Sequence, residues 1–204
     1  YGIIGPPVSY AMAARRYMHE YGEDRTRQAM AEIAVSTRKW ANLNPIAYFY
    51  DIPATFDDYH NSRWVAWPFH LLDCCLVTDA GAAIVITTPE RARDAKNGSV
   101  KILGAGEGHD HSGISQMPDL TWAFGQYTGP QALDMAGVTH SDLDMAMVYD
   151  SFTYTVLVSL ENLGFCKPGE GPDFVAGQRT APGGDFPLNT NGGGLSYTHP
   201  GMYG

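Results

Sequence analysis

Three consecutive glycines, Gly192 to Gly194, lie within Asn189-Thr190-Asn191-Gly192-Gly193-Gly194-Leu195-Ser196-Tyr197-Thr198-His199-Pro200-Gly201 and restrict the chain more than any other stretch. Glycine carries the largest backbone entropy cost and buries no side chain, so the run is expected to form a shaped loop rather than a stable helix or a packed strand. Beside Asn191, the bare backbone of Gly192, Gly193 and Gly194 lets a ligand come close and offers it N–H groups. Pro200 pushes His199 towards an extended conformation. Clusters of Asn, Gly and Pro are also the ordinary material of turns, so the residues alone leave both a binding loop and a plain turn open.

Upstream, Ser9 can cap a helix over Tyr10 to Tyr21 that stops at Gly22, after a turn over Gly2 to Pro7. Ala29, Met30, Ile33, Ala34, Thr37, Trp40 and Ala41 recur at helical spacing, and Asn44-Pro45 ends that second helix. Arg15, Arg16, Arg25, Arg27, Arg38 and Lys39 make this the most basic region, as a solvated face or a surface for phosphates. Thr55 and Asp58 have capping-box spacing, so a short helix should carry Tyr59 and His60 towards Trp64 and Trp67.

Leu76 to Thr87 is rich in Val, Ile and Ala, as a strand covered on both faces would be, and Val100 to Leu103 and Asp144 to Tyr149 are read as further strands. Pro89 opens a short helix through Ala95, and Pro130 to Ala136 forms another, ended by Gly137. A helix from about Phe152 to Leu163 is stopped by Gly164, and a long irregular segment follows. Helices alternating with short apolar strands indicate an α/β fold with helices covering a mixed sheet. Ligands in such folds gather at the carboxyl ends of strands. Tyr149-Asp150-Ser151 holds that position, and Asp150 or Ser151 can simply cap the helix that follows.

Several functions are disfavoured on composition. A net charge of -9 lacks the Lys/Arg excess that a nucleic-acid surface needs. No apolar run reaches the ~20 residues of a membrane span, so no membrane partner is expected. The cysteines, Cys74, Cys75 and Cys166, form no Cys-x-x-Cys, which points to a reducing compartment, the cytoplasm, and Cys166 is read as structural. Gly104-Ala105-Gly106-Glu107-Gly108 has histidine where a dinucleotide fingerprint needs glycine, and His109-Asp110-His111 lacks a third ligand at a recognised spacing; it is read as an exposed loop, with no metal site.

The glycine run leading into His199-Pro200-Gly201 resembles the histidine loop of the thiolase superfamily. Tyr149-Asp150-Ser151-Phe152 falls where thiolases carry Asn-Glu-Ala-Phe, or His-Asp-Cys-Phe in the sterol-carrier-type, lipid-transfer-protein-like branch. Asp79-Ala80-Gly81-Ala82-Ala83 resembles the Asp-Gly-Ala-Ala strand before the central linker. Tyr149 to Phe165 and Asn189 to Tyr203 are most similar to the thiolase-like aldolases that remove the side chain of steroid CoA thioesters.

That resemblance implies an incomplete thiolase-like fold. Residues 1–69 would belong to the loop domain covering the pocket, 70–98 to the last strand and helix of the N-terminal half, and 99–204 to the C-terminal half, truncated after the histidine loop. Most of the N-terminal half, with its nucleophilic cysteine, and the final strands with Cys-x-Gly would lie outside the chain, which alone would be inactive. The implied reaction is retro-aldol cleavage of a bulky, steroid-like β-hydroxyacyl-CoA to a ketone and a short acyl-CoA. The alternatives are a thiolase-type acyltransferase and a noncatalytic lipid-binding or scaffold subunit. Tyr149, His199, Tyr203, Tyr154 and Asp150 are the candidate catalytic residues, with Tyr197 a weaker contender; Asn191, Gly192, Gly193, Gly194 and Ser151 would bind substrate or CoA. Retro-aldol chemistry can use a tyrosine base whose pKa is brought down. Coenzyme A enters only as part of the substrate, with no covalently bound cofactor. The implied partners are a second copy of the protein and a small zinc-ribbon and OB-fold subunit.

Overall fold

The computed structural model describes residues 5–111 and 113–201. Helix α1 covers Pro6–Tyr21, starting before the expected Tyr10 because proline at the first helical positions has the right φ and needs no N–H partner. Gly22, at φ 103°, ends it and leads directly into α2, Glu23–Ala41. Every residue of α2 from Ala29 to Arg38 is buried, so α2 is a central helix enclosed on all sides rather than one with a single apolar stripe. It packs against α1, the short helices α3 (Phe56–Asn61) and α7 (Gly171–Val175), helix α6 (Thr153–Asn162), and the glycine loop.

Burial changes the reading of the basic region. Arg38 is buried, where it donates from Nε to Ser196 Oγ at 3.0 Å and from Nη1 to the Ile52 carbonyl at 3.0 Å, with its guanidinium 3.8 Å from the Phe49 ring centre. Arg25 pairs with Asp173 at 2.8 Å, and Arg27 stacks over Trp64 and Trp67. These three arginines hold the fold together, while Arg15 and Lys39 are exposed.

The capping box at α3 forms as expected, with Thr55 Oγ1 accepting from Asp58 N and Asp58 Oδ2 from Thr55 N. Strands β1 (Trp64–Ala66) and β2 (Phe69–His70) pair antiparallel and are the only sheet among the described residues. The expected strands therefore need correction. Over residues 76–87 only the start is anchored, and Val77 and Val85 are 98% and 88% exposed. A β-carbon on Gly81 would meet nothing within 4 Å, so no close packing requires a glycine there. Val100 to Leu103 is exposed and forms no strand, and Asp144 to Tyr149 makes one parallel bridge, Ala146 to Leu188. A strand is stable only beside a hydrogen-bonding neighbour, and the described residues supply none for the rest of these segments.

Helix α4 is limited to Pro89–Ala92, whereas α5 runs over Gly125–Ala136, starting ahead of Pro130 and ending at left-handed Gly137. The Gly104, Gly106 and Gly108 run lies against α5: a β-carbon on Gly106 would come within 2.3 Å of the Thr128 carbonyl oxygen. These glycines serve close approach of chain to helix. Helix α6 fits the sequence reading in its span, with Gly164 beyond its end at φ 84°, but not in its cap: Phe152 is the N-cap residue and no side chain caps the helix, because Asp150 is engaged by Gly194 N and Leu195 N instead. The irregular segment after it contains α7 and a 3-10 turn at Ala176–Gln178.

Candidate active site

The tight turn from Tyr149 to Phe152 delivers two side chains in opposite directions. Asp150 points inward and is fully buried, and Tyr149 points outward and is 41% exposed. A buried carboxylate must be hydrogen-bonded. Asp150 accepts from Gly194 N at 2.6 Å and Leu195 N at 3.1 Å. These bonds cap a single π-helical turn over Gly193–Tyr197, so the glycine run is helical for one turn, against the sequence expectation. An aspartate from a distant turn supplies the stabilisation that glycine cannot.

The glycines are required by packing. A β-carbon on Gly192 would lie 2.8 Å from the Ala41 side chain, and one on Gly193 would lie 2.0 Å from Asp150 Oδ2. Nor are the loop's N–H groups bare. Gly192 N donates to the Asn189 carbonyl at 2.9 Å, Gly193 N to Asn191 Oδ1 at 2.8 Å, and the next two to Asp150. Asn191 therefore orders the loop from within.

The π turn leads to His199. Its backbone is fixed by Thr78, whose Oγ1 accepts from His199 N at 2.8 Å and lies 2.7 Å from Thr198 Oγ1. Cys75 N donates to the Ser151 carbonyl at 3.0 Å and Leu76 N to the Gly194 carbonyl at 2.9 Å, so residues 75–78 bind the 149–152 turn to the histidine loop. The result is a pair: Tyr149 Oη and His199 Nε2 are 2.8 Å apart, with their rings stacked at 5.6 Å between centres.

Burial sets the protonation states. It raises Asp150 to about 6, against the opposing pull of the Gly194 and Leu195 N–H groups. Burial is also the main cause that moves the Tyr149 phenol upward, assisted by Cys75 and Tyr10. The lowered tyrosine pKa expected for a base is not found here: Tyr149 is a protonated phenol, a donor. Burial pushes Cys74 and Cys166 up to about 12 and raises Cys75 as well.

Residues 106–204 match the family described as Thiolase C-terminal domain-like. The whole chain also aligns, at 43% identity, with 53% of the steroid side-chain-cleaving aldolase of Thermomonospora curvata. The chain belongs to the thiolase superfamily. Within that superfamily it is 40% identical, over its whole length, to 54% of the 17-hydroxy-3-oxo-4-pregnene-20-carboxyl-CoA lyase of Mycobacterium tuberculosis. The solved Ltp2-ChsH2(DUF35) aldolase superposes on 98% of the chain with a TM-score of 0.91 and 41% identity, using 53% of that chain. The chain spans about half the length of the relatives it matches. Its fold is thiolase-like, and its sheet is the incomplete part.

Of the residues singled out in this superfamily chain, Tyr149, His199, Asp150, Asn191 and Gly192 to Gly194 come together. Ser151 is nearby but buried, its hydroxyl 3.0 Å from Thr155 Oγ1. Tyr154 is elsewhere: it is buried in the core and donates to the Leu120 carbonyl at 3.2 Å, because on α6 it faces away from the turn. Tyr203 lies outside the described residues. Sequence reasoning gave Thr78 no role, and it named Arg38 in the basic region and Asn189 in the glycine-rich stretch without their buried contacts. Asn189, buried at φ 50°, accepts Val148 N at 2.8 Å.

Proposed function

We propose that the protein breaks a carbon-carbon bond in a β-hydroxyacyl-CoA by retro-aldol chemistry, the β carbon carrying a bulky steroid-like group. The observation that carries this reading is the 2.8 Å pair of Tyr149 and His199, held on a buried carboxylate, in a chain similar to two relatives named as an aldolase and a lyase. The β-hydroxyl loses its proton to a base, and the bond between the α and β carbons breaks to leave a ketone. Its electrons pass into a thioester enolate, which takes a proton at the α carbon to give the shorter acyl-CoA. A thioester oxygen arriving between the pair takes a hydrogen bond from His199, with its proton on Nε2, in place of the contact with Tyr149. Such donors in a dry site contribute roughly 3–4 kcal/mol to transition-state stability. Tyr149 supplies the proton to the α carbon, and Tyr203 is our candidate for the base.

Acyl transfer through a cysteine needs a thiolate, and burial disfavours one at Cys74, Cys75 and Cys166, so that alternative would depend on the nucleophilic cysteine of the N-terminal half. Tyr149→Phe and Tyr203→Phe in the whole protein test the assignment. Loss of a positioned proton-transfer group should lower kcat by about 10²- to 10⁴-fold with little change in melting temperature. If both variants turn over within a few-fold of the parent, the mechanism is wrong.

The same reading treats residues 1–69 as the pocket cover, 70–98 as the end of the N-terminal half and 99–204 as the C-terminal half. It places the protein in the cytoplasm, as a homodimer with a small zinc-ribbon and OB-fold subunit. The Ltp2-ChsH2(DUF35) name, which joins two components, supports a partner subunit. No described helix is long and apolar enough to cross a membrane. Light scattering of the whole protein with and without that subunit tests the assembly: an active monomer would count against it.

A further inference from the structure

A cavity of about 550 Å³ lies between α1, His111, the segment 113–123 and α6. Its walls are mainly apolar, with Ala13 from α1, Ile114, Met117, Leu120 and Trp122 from the segment, and Val158 from α6. No Asp, Glu, Lys or Arg is among its described lining residues, and His111 in its wall is paired with Asp110, so the phosphates of CoA would find little cationic surface there. The volume is in the range of about 300–1,000 Å³ that takes small-molecule ligands.

Two wall residues connect this cavity to the Tyr149 turn. Tyr10 packs its ring 4.8 Å from that of Phe152 and stands close enough to Tyr149 to act on its phenol. From α6, Thr155 reaches Ser151 with their hydroxyls 3.0 Å apart. Val158 follows about one helical turn further from the site. We infer that this cavity binds the polycyclic, apolar end of the acyl group while the thioester lies at Tyr149 and His199. The inference rests on the retro-aldol reading. Ser9 and Ser159, also in the wall, are neutral hydrogen-bonding groups suited to an oxygen substituent on a hydrocarbon skeleton.

Filling the cavity tests this in the whole protein. Val158→Phe should lower kcat/KM on a steroid-type β-hydroxyacyl-CoA by about 10-fold or more and leave cleavage of a small β-hydroxyacyl-CoA unchanged. Leu120→Trp, on the segment's wall, should give the same split and stands in if the first variant does not fold. Binding of a 3-oxo steroid ketone, read by the fluorescence of Trp122 against a Trp122→Phe control, should weaken in both variants. Equal loss on the two thioesters, or steroid binding that neither variant weakens, overturns the cavity assignment and leaves the retro-aldol reading standing. A parent that cleaves neither thioester overturns the retro-aldol reading, and the binding experiment still decides the cavity.

Discussion

Gly193→Ala tests whether the buried carboxylate shapes the histidine loop. The new β-carbon would lie 2.0 Å from Asp150 Oδ2 and 2.8 Å from Cγ, and the backbone there has φ 56°. An L side chain in the left-handed region costs about 1–2 kcal/mol. The larger cost comes from Asp150, which cannot retreat without stretching its bonds from Gly194 N at 2.6 Å and Leu195 N at 3.1 Å. Each hydrogen bond to a charged group contributes about 1.5–3 kcal/mol, so losing one brings the total to roughly 3–5 kcal/mol. Gly183→Ala is the control, because Gly183 has φ 85° but no neighbour within 4 Å, which leaves only the backbone cost. Urea unfolding of the whole protein should show the Gly193 variant less stable than the Gly183 variant by about 2–3 kcal/mol. Its kcat should also fall as His199 moves away from Tyr149. Equal unfolding midpoints for the two variants would refute the reasoning.

A second effect is seen against pH. Asp150 is raised to about 6 from an unfolded value of about 3.9, so its contribution is complete below about pH 4 and lost as pH rises through 6. Asp150→Asn should therefore flatten the fall in melting temperature between pH 4 and 7, and an unchanged profile would reject the assignment. Cys74 and Cys166, pushed to about 12, should react with a disulfide reagent at neutral pH roughly 10³-fold more slowly than an ordinary thiol, and recover normal rates in urea. Arg38→Lys keeps the charge but not the fork that reaches Ser196 and Ile52, so urea unfolding should show a loss of about 1–3 kcal/mol. An unchanged midpoint would mean the guanidinium geometry contributes nothing.

The helices were legible because their signals are local: glycine after Tyr21, Thr55 with Asp58, and Gly164 beyond α6 act within a few residues of the helix they end or start. Leu76 to Thr87 has strand composition, but a strand takes its hydrogen bonds from another segment, and its own sequence does not say which. The site was half legible for the same reason. The Tyr149 and His199 segments could be singled out by resemblance, and their pairing is observed. That Asp150 would cap a glycine turn more than forty residues away was not written in either segment. Tyr154 shows the limit of spacing on a helix: it lies only three residues after Ser151, yet faces the core.

The central position of α2 has a consequence during protein synthesis. Its buried run, including Met30, Ile33 and Val35, gets much of its cover from residues made long afterwards. Glu32 meets Gln178 across 146 residues, Ser36 meets Thr180 across 144, and Arg38 meets Ser196 across 158. Contacts this distant slow folding, because the chain must close a long loop before they form. While the ribosome is still making the segment between, α2 has α1 and α3 beside it but lacks its late partners, α6, α7 and the glycine loop, so part of its buried surface is open to chaperones and to the late segment of a neighbouring copy.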